Sequence, residues 1–214
     1  MNPAKRIELF RRLAEERPDP RSDLVYTSPF ELLVAVILSA QATDVSVNKA
    51  TATLFAEANT PAALVRLGAD GVARHVRAIG LWRNKARNVV ETSRLLIARH
   101  DGEVPAERKA LEALPGVGHK TAAVVMNVAF GEPLIAVDTH VFRVANRTGL
   151  ARAGNPDEME RKLCRHVPND YLQHAHHWLI LHGRHTCVAR TPRCPDCIVS
   201  DLCDYRSKTV ATGS

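Results

Sequence analysis

The sequence predicts an all-helical fold, and three observations carry that expectation. No stretch alternates apolar and polar residues for long enough to form a strand. Hydrophobic residues make up 45% of the 214 and aromatics only 5%, with many Ala, Leu and Val, a balance that favours helices. Helix-start signals recur along the chain, each a capping hydroxyl followed by proline.

Pro3 to Glu16 reads as an amphipathic helix stopped by Arg17-Pro18-Asp19-Pro20. At the next start Ser28 caps, Pro29 takes the first position and Glu31 completes a capping box. The helix behind it, Phe30 to Ala40, is apolar on all sides and should be a buried, central element. Small polar residues from Ser39 to Asp44 then break the pattern, and Thr43 or Asp44 caps a helix to about Ala56. Thr60-Pro61 starts another, and Arg77 to Ala86 opens a long one to about His100. Further helices are expected over Ala106–Leu114, His119–Phe130, Asp138–Arg147, Pro156–Arg165 and Pro168–Leu181, with a frayed tail from Ser207 to Ser214.

A chain of this length buries a real core, as one large domain or two small ones. The formal charge of +6 and pI near 9.3 make a polyanionic partner plausible. The most apolar run, Phe30 to Ala40, is about half the ~20 residues that cross a bilayer. With an N-terminus that reads as an ordinary amphipathic segment, a soluble intracellular protein without a membrane partner is expected.

The stretch Leu114-Pro115-Gly116-Val117-Gly118-His119-Lys120-Thr121-Ala122 organises the rest. Pro115 ends one helix; Gly116 and Gly118 allow a turn tight enough to bare backbone N–H groups. The next helix starts near His119, so its unpaired N–H groups and dipole point at the same place. Helix, hairpin, helix makes a phosphate clamp indifferent to base identity. Lys120 falls in the first turn, where the dipole helps release a proton, and burial would release it further. A deprotonated lysine attacks sugar aldehydes to form Schiff bases.

Cys187, Cys194, Cys197 and Cys203 are separated by six, two and five residues. Structural zinc prefers two close pairs, and only Cys194 and Cys197 make one. A cubane iron–sulfur cluster takes four thiolates at uneven spacing and is favoured over zinc. Cys164 reads as a small buried hydrophobe. Arg190 and Arg193, around Pro192, form a rigid basic finger suited to phosphates. Asp138, in Val137-Asp138-Thr139-His140, opens a helix as a cap; paired with Lys120, its carboxylate could take a proton or stabilise charge building on a sugar. His174, His176, His177, His182 and His185 have no carboxylate at ligand spacing and read as packing, capping or phosphate contacts.

Taken together, the cysteine spacing, the glycine hairpin with Lys120, Val-Asp-Thr-His-Val-Phe-Arg-Val and Leu-Ser-Ala-Gln-Ala-Thr-Asp resemble the endonuclease III family of helix-hairpin-helix DNA glycosylases. The likeness runs from about Pro3 to Tyr205, with the motifs in family order. One departure is His119, where an arginine is often found. The resemblance implies that Lys120 is the nucleophile and Asp138 its acidic partner, and that one [4Fe-4S] cluster sits on Cys187, Cys194, Cys197 and Cys203. It implies that Gln41 fills the gap left by an everted base while Leu81 wedges beside it. Gly116, Gly118, His119, His140, Arg190 and Arg193 complete the expected DNA contacts.

It further implies two lobes, residues 23–131 with the hairpin and residues 1–22 with 132–214 around the cluster, with the active site in a central cleft. The implied partner is double-stranded DNA carrying oxidised pyrimidines or abasic sites. The chain would act as a monomer, cytoplasmic and nucleoid-associated if the source is bacterial. An adenine glycosylase shares the cluster but lacks the lysine, and a non-catalytic redox-sensing module has no need of Lys120 and Asp138 together.

Overall fold

The structure is a computed structural model that describes residues 1–210. Among the described residues there are ten helices and no strand. They form two compact units, one of Ser22–Gly131, the other of Met1–Arg21 with the described residues from Glu132 onward.

In the first unit α2 (Pro29–Ser39) is the axle, with every residue from Phe30 to Leu38 buried. It packs on α3 (Asp44–Glu57), α5 (Trp82–His100) and α7 (His119–Phe130), while α4 (Pro61–Val76) lies along α5. Ser28 Oγ accepts from Glu31 N at 3.1 Å, the expected cap. The return bond of a capping box goes elsewhere: the buried Glu31 carboxylate accepts from Thr27 N at 2.6 Å and Thr27 Oγ1 at 2.8 Å, one residue earlier. Thr43 and Thr60 cap α3 and α4.

Two boundaries differ from the sequence reading. Arg77 to Leu81 is a turn rather than the start of α5, because Leu81 takes a left-handed conformation (φ 60°). The helix before the hairpin, α6, covers only Arg108–Glu112. Leu111 anchors it to the core, and the chain beyond turns directly into the hairpin.

The second unit is built on α1 (Pro3–Glu16), α8 (Thr139–Thr148), α9 (Pro156–His166) and α10 (Asn169–His185). Its core joins Leu9, Phe10 and Leu13 to Val141, Val144, Met159, Leu163, Trp178 and Leu179. Full burial of one such side chain contributes roughly 1.5–3 kcal/mol. Phe10 stacks on Tyr171, and Trp178 donates its indole N–H to Arg17 O at 2.8 Å. The α10 helix runs four residues past the expected Leu181. Its apolar periodicity stops there, but His182 and Gly183 remain buried.

The expected fraying is corrected for part of the tail: Lys208 Nζ donates to Ser200 O at 2.7 Å and Thr209 Oγ1 accepts from Cys194 N at 3.2 Å. Residues 211–214 lie outside the described residues. Among those described, no helix is long and apolar enough to cross a membrane.

Candidate functional site

In the first unit the hairpin joins α6 to α7. Leu114 and Val117 are buried anchors, and Val117 N donates to Leu114 O at 3.1 Å to close the turn. Between them Gly116 sits at φ +79°, where an added Cβ would stand 2.9 Å from Asn88 Nδ2 and 3.2 Å from Ile37 Cγ2. Packing and backbone both require glycine there. From α5, Thr92 Oγ1 donates to Pro115 O at 3.0 Å and pins the loop.

Gly118 is different. Its φ of −89° and ψ of 178° suit any residue, and a Cβ would meet nothing within 4 Å. Nothing inside the protein demands glycine at this position. Gly118 is also the N-cap of α7, and no side chain caps that helix. A helix start with no side-chain cap is the arrangement that binds anions.

Lys120, in the first turn of α7, is exposed rather than buried. His119 is exposed as well, and its ring is engaged: Nδ1 meets Glu112 Oε1 at 2.9 Å and Nε2 meets the Arg108 guanidinium. It braces the two helices of the hairpin against each other.

Gln41 and Leu81, expected to enter the DNA stack, are both exposed and both left-handed, at φ 54° and 60°. For non-glycine residues this costs about 1–2 kcal/mol each, and such strain clusters at functional sites. Their loops are neighbours: a Cβ on Gly80 would lie 3.9 Å from Gln41 O. Leu81 is 59% exposed, unusual for a large apolar side chain.

In the second unit Asp138 caps α8, its Oδ1 accepting from His140 N at 2.9 Å and Val141 N at 2.8 Å. His140 is half-buried; its Nδ1 lies 3.1 Å from Arg143 Nη2, and an added Cβ on Gly183 would stand 2.8 Å from its own Cβ. It is held between α8 and α10.

Two arginines that the sequence reading passed over follow on the same helix. Arg143 donates to Cys187 O at 2.9 Å and Gly183 O at 2.8 Å. Arg147 donates to Val188 O at 2.8 Å and Ala189 O at 2.7 Å, approaches Cys187 Sγ at 3.6 Å and lies over the Tyr205 ring at 4.7 Å. Their spacing of four residues behind an N-cap aspartate was the available signal, since it puts both on one helix face.

Cys187, Cys194, Cys197 and Cys203 line one hollow of about 340 Å³, part of it open to solvent. Arg147, Arg193 and Lys208 also line it, and among the described residues no carboxylate does. Burial first, then repulsion from the neighbouring thiols, pushes the Cys197 thiol up to about 11, and burial raises Cys203. His182, among the histidines read as packing, touches this group: its Nε2 lies 3.7 Å from Cys197 Sγ. Among the described residues no three potential ligands converge tightly enough for a single ion. Four thiols around one hollow rimmed by cations make a donor set that could hold a net-negative metal centre. In the loop itself, Arg193 N donates to Thr186 O at 2.9 Å, and the Arg190 and Arg193 side chains are exposed.

Fold and site together define a helix-hairpin-helix protein with a four-cysteine loop. Residues 34–169 match the HhH-GPD superfamily of base excision DNA repair proteins. Endonuclease III of Escherichia coli strain K12 is 59% identical over 208 residues, covering 97% of this chain and 99% of that protein. Its counterpart in Haemophilus influenzae is 58% identical with the same coverage. The structure superposes with a TM-score of 0.89 on an endonuclease III–DNA covalent intermediate trapped as an estranged-adenine complex, at 43% identity over 95% of this chain and 96% of that one. The chain belongs to the HhH-GPD superfamily and is a base excision repair DNA glycosylase.

Proposed function

We propose that this glycosylase removes oxidised pyrimidines from duplex DNA and then cleaves the abasic site, with Lys120 as nucleophile and Asp138 as its acidic partner. The observation that carries this reading is the uncapped start of α7, where glycine is required by nothing in the protein and an exposed lysine follows two residues on. A DNA phosphate held on those N–H groups brings the sugar of a neighbouring nucleotide to Lys120. The damaged base must leave the stack to be reached, and Gln41 and Leu81, already exposed and strained, fill the gap.

The lysine lone pair forms a bond to the anomeric carbon, the glycosidic C–N bond breaks, and the base leaves with a proton. The sugar ring then opens, the C1′–O4′ bond breaking as O4′ takes a proton from the attached amine, and the resulting iminium acidifies the neighbouring carbon. Loss of that proton and departure of the 3′ phosphate complete β-elimination, and hydrolysis frees the lysine. The Asp138 carboxylate stabilises the positive charge that builds on the sugar. Arg190 and Arg193 contact phosphates beyond the lesion.

The four thiolates would hold a [4Fe-4S] cluster, which when bound fixes the loop carrying both arginines. Iron analysis with visible absorption tests it: four irons per chain are expected, and a colourless zinc protein would overturn the assignment.

Borohydride trapping on a duplex with one thymine glycol tests the enzymatic proposal. A covalent protein–DNA complex is expected from the wild type. If none forms, on thymine glycol or on a preformed abasic site, the lyase reading is wrong.

A further inference from the structure

His182 reaches two of the four cysteines at once. It stands in the last turn of α10, where its carbonyl accepts from Cys187 N at 2.8 Å and from Thr186 N at 3.0 Å. Its ring nitrogen Nε2 lies 3.7 Å from Cys197 Sγ, and the residue lines the same hollow as the sulfurs. The backbone of this residue holds one cysteine while its side chain meets another.

Packing alone does not account for an imidazole here. The residue is 4% exposed, and its Nδ1 is buried with no hydrogen-bond partner among the described residues. A buried nitrogen without a partner costs free energy that a leucine or phenylalanine in the same place would not. Cys197 Sγ is the polar partner that the ring does have. A free thiol can donate to an imidazole nitrogen or accept from it, so without metal the pairing has no fixed direction. A metal-bound cysteine is a thiolate and carries no proton. Facing it, Nε2 must hold a hydrogen and donate, whether the ring is neutral or cationic. In the neutral ring the buried Nδ1 is then a bare lone pair rather than a stranded N–H.

Other sulfurs have donors too: Arg147 Nη1 lies 3.6 Å from Cys187 Sγ, and Tyr205 N lies 3.5 Å from Cys203 Sγ. The Arg147 guanidinium also holds two backbone carbonyls, and the Tyr205 donor belongs to the backbone. His182 differs from both, because among the described residues its ring meets a sulfur and no other hydrogen-bond partner.

We infer that His182 is a positioning residue for the metal centre, its Nε2–H donating to the Cys197 thiolate and stabilising the negative charge there. The inference rests on the cluster reading above and extends it to a residue outside the ligand set. A hydrogen bond to a ligand sulfur favours the more reduced, more negative state of an iron–sulfur centre, so His182 raises its one-electron potential.

The test uses the iron-loaded whole chain with histidine labelled with heavy nitrogen. One electron taken by ferricyanide, or supplied by photoreduced deazaflavin, makes the centre paramagnetic. Pulsed electron paramagnetic resonance then reads nitrogens hydrogen-bonded to its sulfurs. A heavy-nitrogen coupling is expected in the wild type and should be lost in His182→Gln grown with the same label. His182→Gln keeps an N–H donor, and His182→Phe keeps a ring without one. The midpoint potential of His182→Phe should fall by about tenfold in the redox equilibrium, about 59 mV for one electron, while that of His182→Gln stays nearer the wild type. Iron without the coupling in the wild type overturns the inference, and so does a coupling that survives in His182→Gln. An unchanged potential in iron-loaded His182→Phe overturns it as well; should that variant fail to load iron, the labelled wild type still decides. A wild type without iron overturns the cluster assignment and this inference with it, so iron content tells the two failures apart.

Discussion

Helix α7 begins at Gly118 with no side chain on its first N–H groups, whereas α8 begins at Asp138, whose Oδ1 accepts from both His140 and Val141. Each helix start carries a proposed catalytic residue, and the two leave different things for a ligand to find. The open start of α7 offers backbone donors to an anion, with Lys120 exposed beside them. The closed start of α8 satisfies its own donors and holds a carboxylate in place. The same contrast continues along each helix. In the hairpin the His119 ring bridges Glu112 and Arg108 at the surface, while α8 is tied by Arg143 and Arg147 to the cysteine loop.

Breaking the α8 side has the largest expected effect on stability. Arg147→Met deletes donors to Val188 O and Ala189 O and the contact with Tyr205, and should cost about 2 kcal/mol in denaturant unfolding. Iron content should fall with it. A variant of wild-type stability and full iron would show that the clamp is incidental.

Exchanging the character of the two helix starts comes next. Gly118→Asp gives α7 the cap that α8 has, in a backbone conformation and a space that accept it. Stability should rise by a few tenths of a kcal/mol, while duplex affinity falls about tenfold, because the carboxylate takes the donors and repels phosphate. Weaker binding together with a lower midpoint would mean that the turn had simply been damaged. The opposite exchange, Asp138→Ala, should destabilise by about 1 kcal/mol through the lost cap. Asp138→Asn keeps a capping oxygen and removes the charge, so it should retain most of the stability and lose base-excision rate. If both variants lose rate and stability in the same proportion, Asp138 is a cap and nothing more.

The smallest effect lies on the exposed face of α1. Glu8 accepts from Arg11 and Arg12, which hold its carboxyl down to about 2. A carboxylate with a depressed folded-state pKa contributes stability that is complete above its unfolded value and is lost as pH falls toward 2. Glu8→Gln should therefore flatten the acid limb of the stability curve between about pH 4.5 and 2, and salt should shrink the difference. Identical limbs in the two proteins would remove Glu8 from the account.

Elements with caps or prolines at their ends were legible from sequence. Pro3–Glu16 and His119–Phe130 lie where the pattern put them, because a local signal marks each boundary. The start of α5 and the end of α10 were not, since one depends on a left-handed leucine and the other on burial of His182 and Gly183 after the apolar pattern stops. In the site, the residue types and spacing of the hairpin and the cysteines carried their own chemistry. The arginine clamp did not, because its acceptors are backbone carbonyls about forty residues away, and a carbonyl leaves no mark in a sequence. The ring contacts of His119 with Glu112 and Arg108 were not legible either, since they come from the angle at which the hairpin sets α6 against α7.

Everything enzymatic here depends on one amine at the open start of α7. Peptide mapping of the borohydride-trapped complex by mass spectrometry reads that amine directly. The account predicts a reduced deoxyribose adduct on Lys120 and no complex from Lys120→Ala. An adduct on another lysine or on the N-terminal amine, or undiminished trapping by Lys120→Ala, would contradict it.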